Sequence, residues 1–302
     1  MSEVLYVPVD EGGVEHAAAG DVAWALPGDD GVPVTTDAAR GLVLRTPAAL
    51  LDVLDEVIYR AEPVHGAAQV TDGAMTVSSA RLTTRTPWGT ESAARFALAC
   101  ASHVLGDRAD LRLPDGSTLG EIAADAQHVL EETGPDSAER LGRLARLSDL
   151  WRLHREREEL GDVAFDLALD DEAKNLDTFD DPAYESVVPV IDAVLAAITA
   201  LRHYALPRSE VNREERREER EEHRALGTRS MYKPPTVQGT PFGSVMVGGG
   251  PRLGGGEPSW TGARESARHA RLAARAAKGA TGERGEREWQ AAMLSSLLES
   301  GR

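Results

Sequence analysis

The chain holds a single cysteine, Cys100, among 302 residues, so no intramolecular disulfide can staple it. A lone thiol in a chain of this size fits a reducing compartment. Aromatics make up only 5% of the residues, which points to cores of Leu, Val and Ala packed between helices. Lysine is nearly missing: Lys174, Lys233 and Lys278 are the only three, and arginine supplies the remaining positive charge. With abundant Ala, Gly and Val, this bias fits a GC-rich bacterial genome. No run of about 18 apolar residues occurs, so no membrane span is expected. The opening MSEVLYVPVDEGG has neither the basic start nor the apolar core of a signal peptide. Cytoplasm is therefore the expected compartment. A formal net charge of −17 repels nucleic acid and anionic lipid, so neither is expected against the body of the protein.

What is present begins with strand-like runs. Val4–Val7 and Gly41–Leu44 read as strands, with a turn at Pro27-Gly28-Asp29-Asp30-Gly31. Pro47 opens an expected helix whose face carries Leu50, Leu51, Leu54, Val57 and Ile58 at spacings of three and four. Asp72-Gly73, inside Gln69–Val77, is the centre of an expected β-hairpin. Residues 1–85 thus read as a small α+β unit.

From residue 86 the pattern turns helical. Thr86-Pro87 offers a cap and a first-turn proline, and the stripe Ala93, Phe96, Ala97, Cys100 and Val104 ends at Gly106. Thr118 and Glu121 have the spacing of a capping box. Asp136 to Glu139 resembles another start, ahead of a stripe through Leu150, Leu153, Leu160, Ala164 and Leu167. Asp181-Pro182 resembles a third, ahead of Val187, Val188, Ile191, Val194, Leu195, Ile198 and Leu201. Pro189 requires that last helix to kink or to begin later than Pro182. The fold class read from these signals is mainly α: a helical bundle over 86–206, a small N-terminal α+β unit, and a flexible C-terminal tail. No internal repeat is found.

Residues 207–226 form a charge-segregated segment. Arg213, Arg216, Arg217, Arg220 and Arg224 fall within roughly 100° of a helical wheel, and the glutamates between them fill roughly the opposite 160°. Residues 227–262 are rich in Gly and Pro and read as a linker. Neither Gly243–Gly248 nor Gly248–Arg252 has the Gly-Lys-Ser/Thr of a phosphate loop. Residues 263–302 read as a basic, amphipathic tail helix. It carries Arg264, Arg268, Arg271, Arg275, Lys278, Arg284 and Arg287, then Trp289, Met293, Leu294, Leu297 and Leu298.

Three constellations bear on chemistry. His154, Glu158, Asp162, Asp166 and Asp170 stand four apart and would line one side of a helix. Carboxylates with an imidazole on one face bind a divalent cation when a second helix adds ligands. The plainer reading is a solvated face. For Cys100 with His103, nothing obvious orients the imidazole as a base, and core packing of the thiol is the plainer reading. In the tail, Trp289, Met293 and Leu297 at i, i+4 and i+8, with Leu294 and Leu298, are what a helix-in-groove segment presents to a partner. The basic stretch before them is the one place where nucleic acid or an acidic partner would be attracted. A competing reading folds it onto the protein's own acidic body. The expected function is a non-catalytic protein-interaction protein: an adaptor, a regulatory or immunity-type partner, or an assembly component. It would need no cofactor and would dock on another protein through the tail. The alternative is a metal-dependent hydrolase using the acidic ladder and a divalent cation.

Overall fold

The first strand of the protein is buried on both sides. β1 (Leu5–Val9) turns Leu5, Val7 and Val9 to one interior and Tyr6 to another, so two cores share this wall. A computed structural model describes residues 4–16, 20–27, 35–65, 69–113, 116–132, 135–160, 187–205 and 258–300. β2 (Val14–Glu15) and β3 (Val22–Ala23) form a small separate ribbon. β4 (Thr35–Arg45), β5 (Val57–His65) and β7 (Ala74–Arg85) join β1 in one antiparallel sheet, and β6 (Gln69–Thr71) extends it from β7.

β1 pairs with β5 (Val7 opposite Tyr59) and with β4 (Tyr6 opposite Arg45). β5 pairs with β7 (Arg60 opposite Thr84), and β7 returns to β4 (Val43 opposite Thr76). The ring of four strands is therefore a closed β-barrel. Closure supplies both edges of each strand with a neighbour over much of its length. Val7, Val9, Leu42, Leu44, Val77, Leu82 and Trp24 fill the interior. One charge lies among them: buried Glu15 accepts from Trp24 Nε1 at 3.0 Å and pairs with Arg45 Nη1 at 2.6 Å. The Asp72-Gly73 turn joins β6 to β7 with φ of 47° and 77°, the left-handed pair that a two-residue hairpin of this twist requires. In β4 a register shift falls between Asp37 and Leu42, and Gly41 there has φ 84°. A Cβ on Gly41 would lie 2.6 Å from Thr76 Cγ2.

The barrel corrects the expected fold class. Of the described residues 58% are helical and 23% lie in strands, so the chain is a barrel with helices rather than a mainly-α bundle. Short strands and turns reveal hairpins, but they do not reveal that β7 pairs back to β4. α1 also differs from expectation: it is a single turn, Pro47–Leu50. Leu50, Leu51 and Leu54 are buried as their spacing implied, but Val57 and Ile58 begin β5 opposite Val9 and Pro8. The run Val57-Ile58-Tyr59 is branched and aromatic, and the sheet claims it.

The helical half begins with α2 (Thr90–Leu105), later than Thr86-Pro87 suggested. Thr86 instead donates its hydroxyl to Ile58 O at 2.8 Å, closing the barrel's exit. Gly106 stops α2 with φ 45°. α3 (Leu119–Glu131) carries both bonds of the Thr118–Glu121 capping box, and α4 (Pro135–Leu160) follows. α5 (Val188–Ala205) takes Pro189 in its first turn, where no intrahelical N–H is needed. By length and composition α5 could cross a bilayer, which the count of uninterrupted apolar residues had not suggested, because Asp192 and Arg202 interrupt the run. Here Ile191, Val194, Leu195, Ile198 and Leu201 are buried in the helical core.

α6 (Ser259–Glu299) is two helices joined at Gly279, whose φ of 66° and ψ of −159° are not helical. Arg271 Nη1 donates to Gln290 Oε1 at 2.9 Å, though the two stand 19 residues apart. In one straight helix they would be about 28 Å apart. α6 is therefore an antiparallel hairpin with arms 259–278 and 280–299. Four residues assigned by composition to the linker, Ser259–Gly262, belong to its first arm. The hairpin packs on α2 and α5. Tyr6 and Ile58 of the barrel wall, with Leu50, Leu51 and Leu54 in and after α1 and Trp88 before α2, join the same core.

Candidate functional site: the carboxy-terminal hairpin

The first arm approaches α5 through small residues. Gly262 lies where an added Cβ would be 2.7 Å from Ala200 N and 2.8 Å from Ala196 O. One turn on, buried Ser266 Oγ lies 2.9 Å from both Ala97 O of α2 and Ala193 O of α5. One hydroxyl proton is shared between the two carbonyls, so Ser266 marks the crossing of three helices. Ala263, Ala267 and Ala270 fill the rest of this close contact.

A chain of polar groups runs between the arms. Asp52, just after α1, accepts from Arg271 Nη2 at 2.5 Å and from Arg287 Nη2 at 2.7 Å. Arg271 reaches Gln290, whose Nε2 donates to Ala267 O at 3.0 Å and to Glu286 Oε1 at 2.9 Å. Glu286 Oε2 lies 2.6 Å from His103 Nδ1, and the His103 ring stacks on Trp289 at 3.9 Å between centroids and 6° between planes. A carboxylate only accepts, so Nδ1 carries a proton and donates it to Glu286. Glu286 is 4% exposed and Gln290 is fully buried, yet each has its partners, as a buried polar network requires. Burial lowers Arg271 from the ordinary arginine value while Asp52 opposes the shift. Burial first, and the Glu286 charge second, push the Cys100 thiol well above the ordinary cysteine range. The thiol is held protonated, which supports core packing over nucleophilic use.

His103 does have an orienting carboxylate, contributed by a residue 183 positions away. Nothing in the sequence near either residue signals the pairing. The two residues come together only because the hairpin folds onto α2.

The expected docking residues lie inward. Leu294 and Leu298 are fully buried, and Trp289, Met293 and Leu297 are partly buried against the same core. Their stripe meets α2 and α5 of its own chain. Much of the basic stretch also turns home: Arg271 and Arg287 meet Asp52, Arg268 meets Glu265 at 2.8 Å, and Arg275 meets Glu283 at 3.4 Å. The end of the hairpin does not. Residues 275–281 are all exposed, as are Arg284 and Gly285. Among the described residues neither Lys278 nor Arg284 forms an ion pair. The exposed tip thus carries net positive charge on an acidic chain.

Of the acidic ladder, His154 and Glu158 lie on α4, in a stretch whose side chains are outside the described set. Asp162, Asp166 and Asp170 lie outside the described residues, as do the charge-segregated segment and the glycine-rich stretch. Among the described residues no group of three or more His, Cys, Asp or Glu side chains could hold a metal ion. Comparison with family models, with curated proteins and with solved structures returned no match.

Proposed function

We propose that this chain is a non-catalytic protein-interaction component, of the adaptor, regulatory or assembly kind, that engages an acidic surface of another protein through the tip of its hairpin. The observation that carries this reading is the exposed positive charge of Lys278 and Arg284, which form no ion pair among the described residues, on a chain of net charge −17. A projecting basic tip on an acidic body steers a complementary partner and repels unlike ones. The apolar stripe through Trp289, Met293 and Leu297 then serves to hold the tip in place.

The test is a double charge reversal, Lys278→Glu with Arg284→Glu. The wild-type chain, with a photo-crosslinking side chain at Ala277, is expected to capture one host protein in a salt-sensitive way. The double variant is expected to lose that adduct at an unchanged melting temperature. Equal capture by both chains would remove the tip from the interaction.

A further inference from the structure

The hairpin is held as a unit by its own bonds and held to the body by a different set. Within it run Arg271 to Gln290, Gln290 to Ala267 O, and Arg275 to Glu283. Across to the body run His103 to Glu286, Ser266 to Ala97 O and Ala193 O, His203 to Ser259 Oγ at 2.7 Å, and Asp52 to Arg271 and Arg287. His269 Nδ1 adds a 3.4 Å contact with Asp192, which also accepts from Trp151 Nε1 of α4 at 2.6 Å. Shape is matched as closely as polarity, because Gly262 admits the α5 backbone where no side chain would fit.

We infer that the face made by α2 and α5 is a receptor for a helical hairpin, and that a second copy of this chain can supply it, two chains exchanging hairpins reciprocally. The inference rests on the buried face and does not depend on the tip. Every bond across the interface would be remade when the hairpin comes from an identical chain. Residues 206–257 separate α5 from the hairpin in the sequence. A tethered hairpin sees the face of its own body at an effective concentration of at most order 1 mM, the value short flexible tethers reach, so intramolecular docking prevails in dilute solution. Exchange is therefore expected when chains fold together at about that concentration.

Two full-length variants test this. Gly262→Leu gives a hairpin that fits neither body, and Ala200→Leu gives a body that accepts neither hairpin, since Ala200 Cβ already lies 3.0 Å from the Gly262 Cβ position. Each alone is expected to lose the amide protection of α2 and α5. Refolded together, they should regain about half of the wild-type protection and run as a heterodimer, because one sound body meets one sound hairpin. A mixture that behaves as the average of the two chains would overturn the inference. If either variant docks its own hairpin, wild-type chains in natural and 15N form, co-refolded at about 1 mM, decide instead. Mixed-mass dimers in native mass spectrometry are then expected, and their absence overturns the proposal. Chains carrying Lys278→Glu and Arg284→Glu should exchange normally, which separates this result from the fate of the tip.

Discussion

The barrel and the helical half reach a buried core by opposite means. The barrel is built from one stretch, residues 5–85, and backbone pairing between β1, β5, β7 and β4 closes it. Its interior holds large side chains, Leu42, Leu44, Leu82 and Trp24, around the ion pair of buried Glu15 with Arg45. The helical half is assembled from α2, α5 and the hairpin, which are distant in sequence, and at its centre Ala, Gly and Ser let backbones touch. Its long polar chain, Asp52 to His103, ties those distant pieces together. A core of large side chains is most sensitive to losing atoms, whereas a core of small ones is most sensitive to gaining them. The two halves also share a wall, since Tyr6 and Ile58 point outward from the barrel into the helical core.

Removing the hairpin should separate the halves most sharply. A chain ending at residue 257 is expected to lose amide protection throughout α2 and α5, because Ala97, Ala193 and Leu201 would be stripped of their cover. Protection in β1, β5 and β7 should persist. Hydrogen exchange read by mass spectrometry checks this, and equal loss in both halves would show one cooperative unit instead of two.

Next in size is the effect of a single added side chain. Gly262→Val should destabilise the protein by about 3 kcal/mol, read as a lower denaturation midpoint at an unchanged slope. Gly285→Ala sits in the same hairpin with nothing within 4 Å of its Cβ position. It should stabilise by about 0.7 kcal/mol through helix propensity alone. If both substitutions act alike, close backbone approach is not what governs the helical half.

A smaller effect is expected along the polar chain. His103→Phe keeps a ring against Trp289 but leaves the buried Glu286 oxygen without its donor, at a cost of about 2 kcal/mol. Adding Glu286→Gln to that variant should recover part of the loss, since a neutral amide is easier to leave underpaired. Denaturant titration of the four chains gives the coupling.

The smallest effect belongs to exposed His16, just after β2. A hydrogen bond to Asp21 raises the His16 value against partial desolvation, with the charges of Asp21, Asp55 and Asp10 adding to it. A histidine raised on folding contributes its stability in full below the ordinary value of about 6.5 and loses it as pH rises through the raised one. His16→Ala should therefore narrow the stability difference between pH 6 and pH 8 slightly, and melting curves at both values measure it. An unchanged or wider difference would place the pH dependence elsewhere.

Legibility followed the range of the interaction. The residues expected to dock on a partner lie against the protein's own helical core. Trp289, Met293 and Leu297 do form a stripe at the predicted spacing, but periodicity records that a face is apolar and does not say whether its cover comes from another chain or from α2 and α5. Gly279 lies in a run of Ala, Arg and Lys that reads as one helix, and its backbone angles and the Arg271–Gln290 bond show the reversal.

By itself the sequence determined what a few neighbouring residues decide. These are the left-handed turn at Asp72-Gly73, the Thr118–Glu121 capping box, the stop at Gly106 and the apolar face of α5. Each is settled by steric limits or hydrogen bonds within about one or two turns of chain. Tertiary structure alone decided the return of β7 to β4, the shortening of α1, the contact of Gly262 with α5, and the meeting of His103 with Glu286. In each of these the stabilising partner lies elsewhere in the chain, and residue spacing carries no record of which distant surface will supply it.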